Sequence, residues 1–140
     1  MKTAALILML ALALPCSAGP ISYSLGISKY RLTKISPDIP EGSSIRVQST
    51  YPVWVIVAYD GMTAPSNQSD LLQLPCQSRN VLDITLTCPA KPIGVIVLDM
   101  RNPKADLAGA ILGFFAHQTG QSGERLTAPN IIRVSVIRPR

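Results

Sequence analysis

The stretch Tyr51-Pro-Val-Trp-Val-Ile-Val-Ala-Tyr-Asp60 decides the fold, and Lys91-Pro-Ile-Gly-Val-Ile-Val-Leu-Asp99 echoes it. Both run proline, an apolar residue, a variable one, Val-Ile-Val, and then Asp within a residue or two. Each is too short for a typical helix and rich in β-branched residues. Each therefore predicts a strand buried on both faces. One pair of similar strands does not establish an internal duplication.

Working outward, the remaining strands are predicted by alternation. In Lys29–Ile35, Tyr30 and Leu32 point one way and Arg31 and Thr33 the other. Ser44–Ser49 turns Ile45 and Val47 inward, and Pro52 then opens the first central strand, a position where proline is tolerated. Val81–Thr87 has the cleanest period of two, with Leu82, Ile84 and Leu86 inward. Asn130–Ile137 turns Ile132, Val134 and Val136 inward. Pro20–Leu25 reads as a lead-in or edge strand, Leu71–Leu74 as a short strand, and Gln77–Asn80 as a turn. Residues 107–116 are all apolar or glycine. They fit either a helix capped by Asp106 or a buried strand with a glycine bulge. The expected fold is all-β: an antiparallel two-sheet β-sandwich of seven to eight strands, with room for one short helix near 107–116.

The first 18 residues have a different character. Lys2 gives a positive start, Ala4 to Leu14 is unbroken apolar sequence, and Pro15-Cys-Ser-Ala-Gly19 supplies small residues for a peptidase. This is the three-part pattern of a secretory signal, with cleavage expected after Ala18. The apolar run falls well short of the roughly 20 residues of a spanning helix. Residues 19–140 then make a single domain, of a size that buries about two thirds of its unfolded surface. The 13 basic and 8 acidic side chains give +5, and loss of Lys2 makes it +4. The charges are scattered, which argues against a nucleic-acid partner. Cys16 leaves with the signal. Cys76 and Cys88 are then left to pair, closing a short loop that contributes about 3 kcal/mol if unstrained.

The catalytic inventory is thin. His117 is the sole histidine, and it lies in or beside a loop with no Gly-x-Ser-x-Gly near it. A zinc site usually needs more His or Cys ligands than the chain can offer. Asp60 and Asp99 close the two echoed strands. If these strands run parallel as neighbours, the two carboxylates share an edge and become a candidate Ca²⁺ site; otherwise they cap turns. Asn67-Gln-Ser69 is an N-glycosylation sequon in a polar loop. Phe114 and Phe115, within the apolar 107–116 stretch, are candidate contacts to a membrane surface or a partner protein, if they are not core.

The sequence thus points to a secreted, non-enzymatic binding or adhesion module, or an accessory subunit of an extracellular or envelope assembly. A protein or glycan partner is expected, and loops 60–70 and 117–129 are the candidate recognition segments. An exposed Trp54 or Tyr59 would favour a glycan. A membrane-surface protein using residues 107–116 is the alternative. A small extracellular hydrolase, working through His117 or an Asp pair, has the thinnest support. No cofactor is required by any of these readings, Ca²⁺ at Asp60 and Asp99 aside.

Overall fold

The computed structural model describes residues 20–102, 108, 109, 111, 112, 115 and 128–139. The expected signal 1–18, Phe114, His117 and most of the 117–129 loop lie outside the described residues. The elements described from end to end are, in order, β1 (Ile21–Leu25), β2 (Tyr30–Lys34), β3 (Ser44–Tyr59), α1 (Gln68–Leu72), β4 (Gln77–Thr87), β5 (Pro92–Asp99) and β6 (Asn130–Ile137). The protein is mostly β, and every strand pairing is antiparallel.

The organising element is the β3–β4 ribbon. β3 runs 16 residues, joining the two strands expected at Ser44–Ser49 and after Pro52 into one. β4 accompanies it from Ser44↔Thr87 to Ile56↔Gln77. Between Gln48↔Asp83 and Val53↔Val81 the register slips, so β3 spends five steps where β4 spends two. Pro52 sits in that interruption, where its missing N–H removes no ladder bond.

The slip is also a bend. Cys76 and Cys88 flank β4 and form a disulfide with their Cα atoms 5.4 Å apart. A straight strand of that length would hold its ends about 40 Å apart. The ribbon is therefore folded back on itself, and the expected Cys76–Cys88 bond joins its two ends. The bend also changes which residues of β4 face inward. Val81, Ile84 and Leu86 pack on the core, whereas Leu82, expected inside, is 52% exposed. Two consecutive residues, Leu82 and Asp83, face out at the bend.

The remaining edge of β3 is shared. β6 pairs with Ser44–Ser49 and carries β1 beside it; β5 pairs with Val53–Tyr59 and carries β2. The resulting order, β1-β6-β3-β5-β2 with β4 on β3, is a nearly closed, barrel-like antiparallel sheet. All six strands are linked through hydrogen bonds. At the seam between β1 and β2 the Arg31 guanidinium lies 4.7 Å from the centre of the Tyr23 ring.

Two apolar clusters result. The first draws on every strand but β2, including Leu25, Ile45, Val47, Val55, Val97 and Val134, so it fills the interior. The second draws only on β2, β3 and β5 (Leu32, Trp54, Ile56, Ala58, Ile96, Leu98) and lies on their outer face. Met62, Leu71 of α1, Ile111 and Phe115 cover it. Hence Val53 to Ala58 and Val95 to Leu98 are buried on both faces, as their composition predicts.

Folding the ribbon opens a gap where β6 ends its pairing with β3 and β5 begins. The amides of Thr50 and Tyr51 would be stranded there. Asn130, fully buried at the start of β6, fills the gap. Its Oδ1 accepts from both amides at 3.0 Å, and its Nδ2 donates to the Tyr51 carbonyl at 3.0 Å and to Asp99 Oδ2 at 2.9 Å. Asp99, also fully buried, further accepts from the Ser28 amide, the Arg101 amide and Arg101 Nε. The Arg101 guanidinium stacks 4.2 Å from the Tyr51 ring centre and donates to the Ala128 carbonyl. Ser28 and Ala128 both hold left-handed φ, at 60° and 55°. This polar clasp joins the two ends of the 100–129 segment.

Candidate functional site

Of the two loops singled out from sequence, the β3–β4 connection is the one the structure describes in full. Asp60 and Gly61 turn the chain out of β3, with Gly61 at a φ of 84°. Met62 then folds back into the second apolar cluster. Asn67 caps α1: its Oδ1 accepts from the Asp70 amide at 2.9 Å. The segment expected to hold a short strand, Leu71–Leu74, instead closes this helix. The helix orients Leu71 into the second cluster, fully buried. Gln77 secures it to the sheet. The Gln77 Nε2 donates to the carbonyls of Leu71 and Leu74, at 2.7 and 3.1 Å, and its Oε1 accepts from Trp54 Nε1 at 2.9 Å. Gln77, expected in a turn, is the first residue of β4.

This fixed frame carries a cavity of about 290 Å³, lined by Thr63, Ala64, Pro65, Asp70, Gln73 and Leu74. Ala64, Pro65 and Leu74 form an apolar wall, while Thr63, Asp70 and Gln73 supply polar groups. Asp70 Oδ2 accepts from Asn67 Nδ2 at 3.2 Å, and Gln73 Nε2 reaches Ser69 Oγ at 3.2 Å. The hollow thus sets an apolar wall beside polar groups on a supported element.

The other sequence candidates fall elsewhere. Asp60 is exposed at one end of β3. Asp99 is buried at the opposite end of the β3–β5 pair, because the two strands are antiparallel (Val53↔Asp99, Tyr59↔Pro92). A pair of that length separates them by about 20 Å. The shared Ca²⁺ edge required parallel strands and is not formed by these two residues. Asp99 instead holds the clasp. Among the described residues no three His, Cys, Asp or Glu side chains come together.

Trp54 is 2% exposed and serves the core, with Arg79 5.5 Å from its ring centre; Tyr59 is half-buried. Neither offers a sugar platform. Phe115 is 5% exposed and packs in the second cluster, together with fully buried Ile111, so it is not a surface contact. Where described, the ambiguous 107–116 stretch is helical. Asn67 is exposed. Its capping bond uses Oδ1, the atom that a glycan on the side-chain nitrogen would leave in place.

Thr63 lies within the 60–70 loop expected to carry recognition, whereas Gln73 and Leu74 fall outside it, in the segment expected to be a short strand. The one available signal was Asn67 three residues before Asp70, a helix-capping arrangement. No family model, curated protein or solved structure matches this chain.

Proposed function

We propose that this chain is an exported, non-enzymatic binding module, or an accessory subunit of an extracellular assembly, that recognises its partner at the β3–β4 connection. The carrying observation is the 290 Å³ hollow at Thr63–Leu74, held on an element pinned by Gln77 and by the packing of Leu71 and Met62. The disulfide is compatible with an oxidising compartment, and the leader-like 1–18 segment supports export. In this reading the folded β3–β4 ribbon contributes one half to each layer of a sandwich, with the disulfide crossing between them. Strands that change sheet at a bulge are a known way to make such a corner. The alternative, a membrane-surface role for 107–116, loses Phe115 to the core.

The test is a two-dimensional NMR screen of the ¹⁵N-labelled protein, disulfide intact, against amino-acid amides, short peptides and monosaccharides. Amide shifts converging on Thr63, Asp70, Gln73 and Leu74 are expected. Shifts that converge elsewhere, or none with any probe, would overturn the assignment.

A further inference from the structure

We infer that the Thr63–Leu74 cavity takes a lysine or arginine side chain from a protein partner. This inference rests on the reading of the cavity as the recognition site and adds the chemistry of its occupant.

Three observations carry it. The first is the carboxylate. Asp70 Oδ2 is met by Asn67 Nδ2 at 3.2 Å, whereas Asp70 Oδ1 has no hydrogen-bond or ion-pair partner among the described residues. One oxygen thus stays available on an acid whose position is set by its place in the first turn of α1. The second is the wall. Ala64, Pro65 and Leu74 present apolar surface beside that acid. Basic side chains match such a combination, because their stems pack on apolar surface while the charged head reaches a polar group. The volume is just below the usual range for drug-sized ligands, which suits one side chain rather than a multi-ring compound.

The third observation is the local charge. The chain carries +5 overall, yet no Lys or Arg occurs between Arg46 and Arg79. Within that span Asp60 and Asp70 are the only charged side chains. Among the described residues, two bases that adjoin this span are turned to other tasks. Arg79 lies over the Trp54 ring, and Lys91, whose carbonyl accepts from the Asp60 amide, sends Nζ to the Pro37 carbonyl at 3.0 Å. The connection is an acidic stretch in a basic protein, a local charge that favours an approaching cation. Gln73 Oε1 and the Thr63 hydroxyl add acceptors at the rim, which a multi-donor ammonium or guanidinium can use.

The test compares charge-matched probes on the disulfide-intact protein by NMR titration: the Nα-acetyl amides of arginine, lysine, glutamine and leucine, with glucosamine as a non-peptide cation. The arginine and lysine amides are expected to bind at Asp70, Gln73 and Leu74, and to weaken as salt is raised. Asp70→Asn, which keeps the side-chain shape, should weaken them about fivefold, the upper range for a solvent-exposed ion pair. Because Asp70 also contacts Asn67, a second variant, Ala64→Phe, fills the hollow from its wall and should abolish binding with the spectrum elsewhere unchanged. Equal binding of the leucine or glutamine amide, indifference to Asp70→Asn, or tighter binding of glucosamine than of either basic amide would overturn the inference while leaving the cavity as a binding site. Silence of every probe would overturn both. Self-association of the protein that Asp70→Asn abolishes would overturn the separate partner, since the occupant would then be a second copy.

Discussion

The two halves of β3 share one strand and one neighbour, β4, yet they live in different surroundings. In the first half, Ile45 and Val47 point into the interior while Ser44, Arg46 and Gln48 face outward. There, Arg46 makes a bidentate pair with Asp83 at 2.7 and 3.0 Å, and Ser44 meets Thr87 at 2.7 Å. A polar row, Ser22–Arg133–Gln48–Asp83, crosses four strands at this level. In the second half, six consecutive residues from Val53 to Ala58 are at most 2% exposed. The interior is common to both. What differs is the outer face, which α1, Met62, Ile111 and Phe115 cover over the second half only, among the described residues. A strand's periodicity therefore reports its cover: alternation where one face is wet, a continuous apolar run where both are dry.

The comparison can be broken most severely at the point where the halves meet. Asp99→Ala removes the anion facing a guanidinium whose side chain is only 14% exposed, and deprives Asn130 of a partner. A loss of about 4 kcal/mol is expected in urea unfolding, because a buried charge left without its counter-ion is heavily penalised. A loss below about 1 kcal/mol would show that the clasp is not what holds the fork. Next, Ile56→Ala, on the doubly buried half, should lower stability by about 3 kcal/mol. Arg46→Ala, on the half-wet part of the same strand, should leave the urea midpoint nearly unmoved; equal effects at the two sites would erase the contrast. Replacing Cys76 and Cys88 by serine should lower stability by about 3 kcal/mol, chiefly through the freed unfolded chain. The native spectrum should change most along β4, where the two halves are tied.

Two smaller effects concern pH. Burial pushes the Tyr23 phenol above its ordinary value near 10, with Thr33 and Arg31 pulling the other way. The unfolded chain therefore loses this proton first as pH rises, so the native state should weaken above about pH 10. The Tyr23 hydroxyl makes no hydrogen bond of good geometry. Tyr23→Phe should accordingly change neutral-pH stability by less than about 1 kcal/mol and flatten the alkaline decline, as read by thermal melts between neutral and strongly alkaline pH. A decline as steep in the variant would assign the effect to another group. At the other extreme, the hydrogen bond from Arg46 holds Asp83 below the usual carboxylate range. Its contribution is present above that range and lost as pH falls through the lowered value. For a pair this exposed, Asp83→Asn should barely change the acid limb, and less so in high salt.

The sequence made some of this readable and hid the rest for identifiable reasons. Composition revealed the strands, the doubly buried runs and the disulfide, because burial and oxidation act on residue type. It could not reveal that Ser44–Ser49 and the run after Pro52 are one strand, since a bulge looks like a break when only one chain is visible. The same bulge moved Leu82 from inside to outside. Helix α1 was hidden because five residues are too few to show a period, although Asn67 and Asp70 carried its cap. Asn130 and Asp99 were unreadable as partners: 31 residues separate them, and their pairing follows from the bend. The cavity at Thr63–Leu74 escaped because nothing in a polar loop's composition tells which side chains surround a hollow.

The clasp has a further consequence for how this protein can vary. Because Asp99, Arg101 and Asn130 draw the ends of segment 100–129 together at the sheet itself, the sheet is indifferent to how many residues lie between them. Closing a longer excursion adds only about 0.6 kcal/mol per doubling of length. The segment is in that sense a cassette with fixed terminals. Its described residues set a requirement: any replacement must again supply large apolar side chains where Ile111 and Phe115 now lie, or the second cluster is opened to water.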